Sequence, residues 1–108
     1  MESDYCPIVR YKWAFTEAKD NEVIIPESNK RLRVVYFQLS SYTDDLLISI
    51  HEEGNEFNAL FYGKTKAGTI VNGNLIGCNY KTEKVDKKLY CNLSIAGEVY
   101  LVLFFAEV

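Results

Sequence analysis

Leu46-Leu47-Ile48-Ser49-Ile50-His51-Glu52 is the stretch that decides the fold. A β-strand turns successive side chains to opposite faces. Leu46, Ile48 and Ile50 therefore share one face, and Ser49 and His51 share the other. That alternation predicts a strand with one apolar side. Turn residues bracket it: Thr43-Asp44-Asp45 before, Glu53-Gly54-Asn55 after.

Working outward, the same punctuation repeats. Phe57 to Lys64 reads as the next strand, with Phe57, Ala59 and Phe61 on one face. Lys66-Ala67-Gly68 turns the chain into Thr69 to Ile76, where Asn72-Gly73 reads either as a tight turn or as an irregular strand interior. Upstream, Arg31 to Ser41 reads as a long strand. Regular alternation would put Leu32, Val34 and Tyr36 on one face and Val35, Phe37 and Leu39 on the other. Apolar residues on both faces predict cover on both sides. Val9 to Thr16 suits an edge strand, Ala18 to Glu22 a charged loop, and Val23-Ile24-Ile25 a short strand stopped by Pro26.

Downstream, Gly77 to Lys87 is polar and charged, a loop or at most one helical turn. Lys88 to Ile95 reads as a strand and Ala96-Gly97 as a turn. Residues 98–107 end the chain in an apolar element that is strand or helix by period. Its β-branched and aromatic content favours strand. The sum is a mainly β fold: one domain over residues 1–108, an antiparallel sheet or β-sandwich with at most one or two short helices.

Composition excludes several function classes. The 108 residues are 48% hydrophobic and 25% charged, which suits one ordinary domain rather than a disordered chain. The net charge of −3 argues against a phosphate-binding nucleic-acid surface. The longest apolar run, Val99 to Ala106, is far below the ~20 residues of a membrane span. Cys6, Cys78 and Cys91 cannot all pair within the chain, and none lies at metal-ligand spacing. Met1-Glu2-Ser3-Asp4 lacks the basic start of a secretory signal. Reduced thiols in a cytosolic or nuclear setting are therefore expected, and Asn92-Leu93-Ser94 reads as a chance match to the glycosylation pattern.

Catalytic motifs fail one by one. Gly63-Lys64-Thr65 lacks the upstream glycine of a phosphate-binding loop, since position 58 is Asn58. His51 is the lone histidine, and no partner orients it with a cysteine. Glu52, Glu53 and Glu56 read as a solvated acidic rim around the Gly54-Asn55 turn, too exposed for a raised carboxyl pKa. The expectation is a non-enzymatic protein without metal or cofactor.

What remains is an aromatic content of 14%, with 8 Tyr, 6 Phe and one Trp. Rings fall on both faces of several strands, as in Tyr36 beside Phe37 and Phe61 beside Tyr62. Either two layers enclose them or a partner covers them, and Tyr and Trp are enriched where proteins meet. Exposed edges and rings near Arg31, Arg33, Val35 and Phe37, and near Tyr100, Val102 and Phe104, are the expected interface.

An ordered set of patterns carries a family resemblance. It runs through Leu32-Arg33-Val34-Val35-Tyr36-Phe37-Gln38-Leu39, then Thr43-Asp44-Asp45-Leu46-Leu47-Ile48-Ser49-Ile50, then Phe57-Asn58-Ala59-Leu60-Phe61-Tyr62-Gly63. It continues with Thr69-Ile70-Val71-Asn72-Gly73-Asn74-Leu75-Ile76-Gly77 and Lys88-Leu89-Tyr90-Cys91-Asn92-Leu93. In this order they resemble the proteasome assembly chaperone 4 family. The resemblance implies a non-enzymatic chaperone of cytoplasm and nucleus. It would form a heterodimer with a related assembly-chaperone subunit and hold proteasome α-subunits during α-ring assembly. The family carries a helix after the Leu-x-Gly stretch, where this chain has the short polar run Cys78 to Lys87, and a helix-like C-terminus, where this chain is β-like.

Two other readings stay open. One is a small-ligand or glycan-binding β-sandwich using Tyr11 and Trp13. The other is an oligomeric β-sandwich of histone-chaperone or viral structural type, although the acidic tail usual in the former is not seen before Glu107-Val108.

Overall fold

A computed structural model describes residues 8–78 and 80–108. Cys6 lies outside the described residues. Eight strands follow one another: β1 (Val9–Phe15), β2 (Asp20–Ile24), β3 (Leu32–Ser41), β4 (Leu46–Glu52), β5 (Asn55–Thr65), β6 (Thr69–Asn74), β7 (Leu89–Leu93) and β8 (Val99–Glu107). The described residues contain no helix. Residues 98–107, open between helix and strand in sequence, are strand apart from Glu98.

The strands form two antiparallel sheets packed face to face, ordered β1-β8-β3-β6 and β2-β7-β4-β5. The pairs β1–β8, β2–β7, β3–β6 and β4–β5 are successive rungs of one long folded ribbon, rolled up so that β3 also meets β8 and β4 also meets β7. This is the jelly-roll form of the sandwich.

The core sits between the sheets. Leu32, Val34, Leu39, Leu101 and Leu103 come from the first sheet, and Leu46, Ile48, Ile50, Leu89 and Leu93 from the second, all at 2% exposure or less. Each such side chain contributes about 1.5–3 kcal/mol by leaving water. The β4 alternation is thus the visible half of a two-layer core. Polar groups that point inward are paired. Ser41 and Thr65 hydroxyls meet at 2.8 Å and tie the two sheets together at one end. At the other end Thr82 accepts the Leu32 N–H at 3.0 Å.

Three expectations need correction. The first is β3, which does not alternate evenly. A bulge between Val34 and Tyr36 slips the register, so Leu32, Val34, Phe37 and Leu39 all point inward and Tyr36 and Gln38 point outward. One extra residue in a strand reverses the facing of everything after it. Second, Ala18 to Glu22 is not all loop, because β2 begins at Asp20, where its pairing with Asn92 starts. Third, Glu52 is no part of a solvated rim. It is 1% exposed.

Glu52 Oε1 accepts Asn58 Nδ2 at 2.8 Å and the Glu83 N–H at 2.8 Å, while Oε2 accepts the Lys84 N–H at 3.3 Å. A buried charge is tolerated when such donors surround it. The polar segment after β6 is therefore anchored. It also hydrogen-bonds the half of β3 that β6 leaves open: Val34 N–H donates to Tyr80 O at 3.1 Å, and Thr82 N–H donates to Leu32 O at 2.9 Å. Burial and the neighbouring Glu52 carboxylate push the Tyr80 phenol well above its ordinary range, and its hydroxyl donates to Asn58 O at 2.8 Å.

Asn72-Gly73 is strand interior, not a turn. A Cβ on Gly73 would lie 2.7 Å from Phe37 Cε1, so the glycine makes room for the inward ring. Gly54 and Gly68 take positive φ at the β4–β5 and β5–β6 turns, where glycine is favoured.

Candidate functional site

The outer face of the β1-β8-β3-β6 sheet is built in rows. Across the four strands the register aligns Arg10, Phe104, Tyr36 and Asn74, then Lys12, Val102, Gln38 and Asn72, then Ala14, Tyr100, Ser40 and Ile70. The two central strands thus carry a half-buried strip of rings and Val102, interrupted on β3 by the polar Gln38 and Ser40. Cations flank it on the β1 side and amides on the β6 side.

The strip forms an open groove of about 600 Å³, lined by residues of β1, β3 and β8 together with Tyr42. Tyr36 and Phe104 meet edge to face at 5.6 Å between ring centres, and Tyr42 and Tyr100 do so at 5.8 Å. Such pairs hold each other in fixed orientation. The Arg10 guanidinium stands 6.0 Å from the Phe104 ring centre, at the outer limit of a cation–π contact. No carboxylate lines the groove. At its margin the Tyr100 hydroxyl donates to Glu98 at 2.5 Å, and that bond raises the phenol's pKa.

The expected interface residues divide. Tyr100, Val102 and Phe104 lie together on this face. Phe37 does not: it is a core residue, 5% exposed and packed on Phe61 at 6.2 Å, because the bulge turns it inward. Val35 sits in the bulge itself, beside Leu75 and Ile76 in a separate small recess. Arg31 stands half-buried at the entrance to β3, exchanging two backbone hydrogen bonds with Val108 at 2.9 Å. Arg33 is half-buried, and its Nε has no hydrogen-bond partner among the described residues. Tyr42, Gln38, Arg10 and Lys12 were not expected on the face, and Tyr36 was covered only as part of the 31–37 stretch. The alternation of Tyr36, Gln38 and Ser40 was readable, but only the bulge puts it in phase with Tyr100, Val102 and Phe104.

No family model matches the chain, and no curated protein matches it. The groove must therefore be read from its own chemistry.

Other candidate groups have structural work. His51 is 5% exposed, with Nδ1 at 2.9 Å from the Ser49 hydroxyl and its ring against Tyr90. Asn92 Nδ2 donates to Asp20 Oδ1 at 2.8 Å across the β2–β7 pair. Burial pushes the Cys91 thiol up to about 12, while Cys78 is exposed. Among the described residues no three His, Cys, Asp or Glu side chains gather as metal ligands, and no helix is long and apolar enough to cross a membrane. Trp13 and Tyr11 have their rings 5.8 Å apart at the margin between β1 and β2, on the inward side of β1, and Tyr11 stacks on Phe105.

Proposed function

We propose that this chain is a non-enzymatic protein-interaction domain that works as a subunit of a protein oligomer, with the outer face of its β1-β8-β3-β6 sheet covered by another protein. The observation that carries this reading is the groove on that face. It combines packed aromatic rings with a cationic border and no carboxylate, the chemistry of an interface centre rather than of a wet sheet. Five ring or branched apolar side chains there (Tyr36, Tyr42, Tyr100, Val102, Phe104) add nothing to the inter-sheet core.

The rolled eight-strand order is shared by viral capsid domains and by lectins, so it suits both an oligomeric β-sandwich of histone-chaperone or viral structural type and a glycan-binding one. That step is analogy of fold and takes its weight from the groove. The family resemblance supplies a more specific version: pairing with a related assembly-chaperone subunit and holding proteasome α-subunits, in cytoplasm or nucleus. The glycan reading keeps Tyr11, exposed and stacked on Phe105, beside Trp13 in a smaller recess of about 270 Å³, against about 600 Å³ for the groove.

The experiment is purification of the full chain from eukaryotic cells under native conditions, with mass determination and identification of what comes with it. A homo-oligomer supports the histone-chaperone or viral type. A heterodimer that brings down proteasome α-subunits supports the assembly-chaperone version. A bare monomer at every concentration refutes both.

A further inference from the structure

We propose that the groove receives the β4–β5 hairpin of a second copy of this chain, with Phe57 as the plug. The inference rests on the oligomer reading above and names its contact. The groove is concave, so the same face of another copy cannot fill it without leaving a void, and voids forfeit contact energy. It needs a convex apolar group carrying negative charge.

The hairpin provides both. Phe57 is 101% exposed, and the next most exposed large apolar side chain among the described residues is Ile76 at 72%. Its exposure has a local cause. Successive register slips around His51 carry residues 56–58 outside the β4–β5 ladder. Asn58 is then drawn inward by Glu52 and by Lys81 O, at 2.8 and 2.9 Å, and Phe57 is turned out. Glu56 stands exposed beside it and Glu53 lies on the same turn, opposite in charge to Arg10 and Lys12 of the groove.

The plug is also pre-organised. The Glu53 carboxylate accepts the Lys88 N–H at 3.2 Å, Asn55 Nδ2 donates to Glu83, and Gly54 fixes the turn at φ 73°. Little backbone freedom of the turn is left to lose on docking, which favours association, and the fully exposed Phe57 ring is the part still to be ordered. Plug and groove lie on different sheets of one chain, so the contact is head-to-tail and every copy offers one of each.

Mixing two variants tests this. Phe57→Ser removes the plug and leaves the groove, and it touches no core residue. Val102→Glu spoils the groove and leaves the plug. Each alone is expected to weaken assembly by at least about 30-fold, the loss of one hot-spot side chain. An equimolar mixture is expected to form a dimer and nothing larger, because one intact plug and one intact groove remain. If Val102→Glu fails to fold by circular dichroism, the exposed Lys12→Glu replaces it, and Glu56→Lys in the partner copy restores binding. An oligomeric wild type whose Phe57→Ser variant assembles equally well, or whose two variants fail to complement, overturns the plug and leaves the oligomer reading standing. A wild type that assembles only with a different protein overturns the plug alone, and one that is monomeric throughout with nothing co-purifying overturns both.

Discussion

Replacing Glu52 with alanine tests how the polar segment after β6 is held. The carboxylate is 1% exposed and accepts three hydrogen bonds, from Asn58 Nδ2 and from the Glu83 and Lys84 N–H groups. Alanine removes every acceptor at once and leaves two backbone donors and an amide facing a hole. An unsatisfied buried donor costs about 1–3 kcal/mol, and relaxation of the segment toward water recovers part of that. The net expectation is a loss of about 3–4 kcal/mol from a total near 5–15 kcal/mol. Glu52→Gln keeps one acceptor but places an amide N–H₂ against a donor, so about half that loss is expected. Urea unfolding followed by Trp13 fluorescence reads both, with Glu56→Ala, an exposed neighbour, as the control within about 0.5 kcal/mol of wild type. A Glu52→Ala variant as stable as Glu56→Ala would refute the anchoring role and restore the solvated-rim reading.

Gly73→Ala is expected to destabilise by about 1–3 kcal/mol, since its Cβ would press on Phe37 at 2.7 Å; Phe37→Leu in the same chain should cancel part of the penalty in a double-mutant cycle. In the native protein a thiol reagent should modify Cys78 quickly and Cys91 only as the chain unfolds, as peptide mass mapping would record. The folded Cys91 thiol titrates near 12, against about 8.5 when unfolded, so the stability tied to it is complete below about pH 8.5 and falls as pH rises toward 12. Urea midpoints between pH 8 and 10.5 should therefore drop more steeply for wild type than for Cys91→Ala. Tyr36→Ala should lower the oligomer mass while costing little monomer stability, because the ring packs on Phe104 outside the core; a large loss of stability would mean the face is structural.

Much of the fold was legible because burial of one face leaves a period of two. Leu46, Ile48 and Ile50 announced β4, whereas the β-branched and aromatic run of β8 favoured strand over helix without deciding between them. What could not be read depends on pairing between distant segments. The β3 bulge lies in the pairing with β8, a strand far away in sequence, and it moves Phe37 into the core and Tyr36 out of it. Glu52 looks like any turn-flanking acid until donors some 30 residues away close over it. The groove was half legible. Tyr100, Val102 and Phe104 follow from alternation along one strand, whereas Arg10, Lys12 and Tyr36 join them only through register.

The central claim is that another protein covers the groove. Its most direct measurement is the mass of the purified full chain by sedimentation across micromolar concentrations, beside the Val102→Glu variant. Wild type should sediment as a species larger than 12.4 kDa, and the variant as a folded 12.4 kDa monomer. A wild type that stays at 12.4 kDa with nothing co-purifying, or a Val102→Glu variant that assembles unchanged, would contradict it.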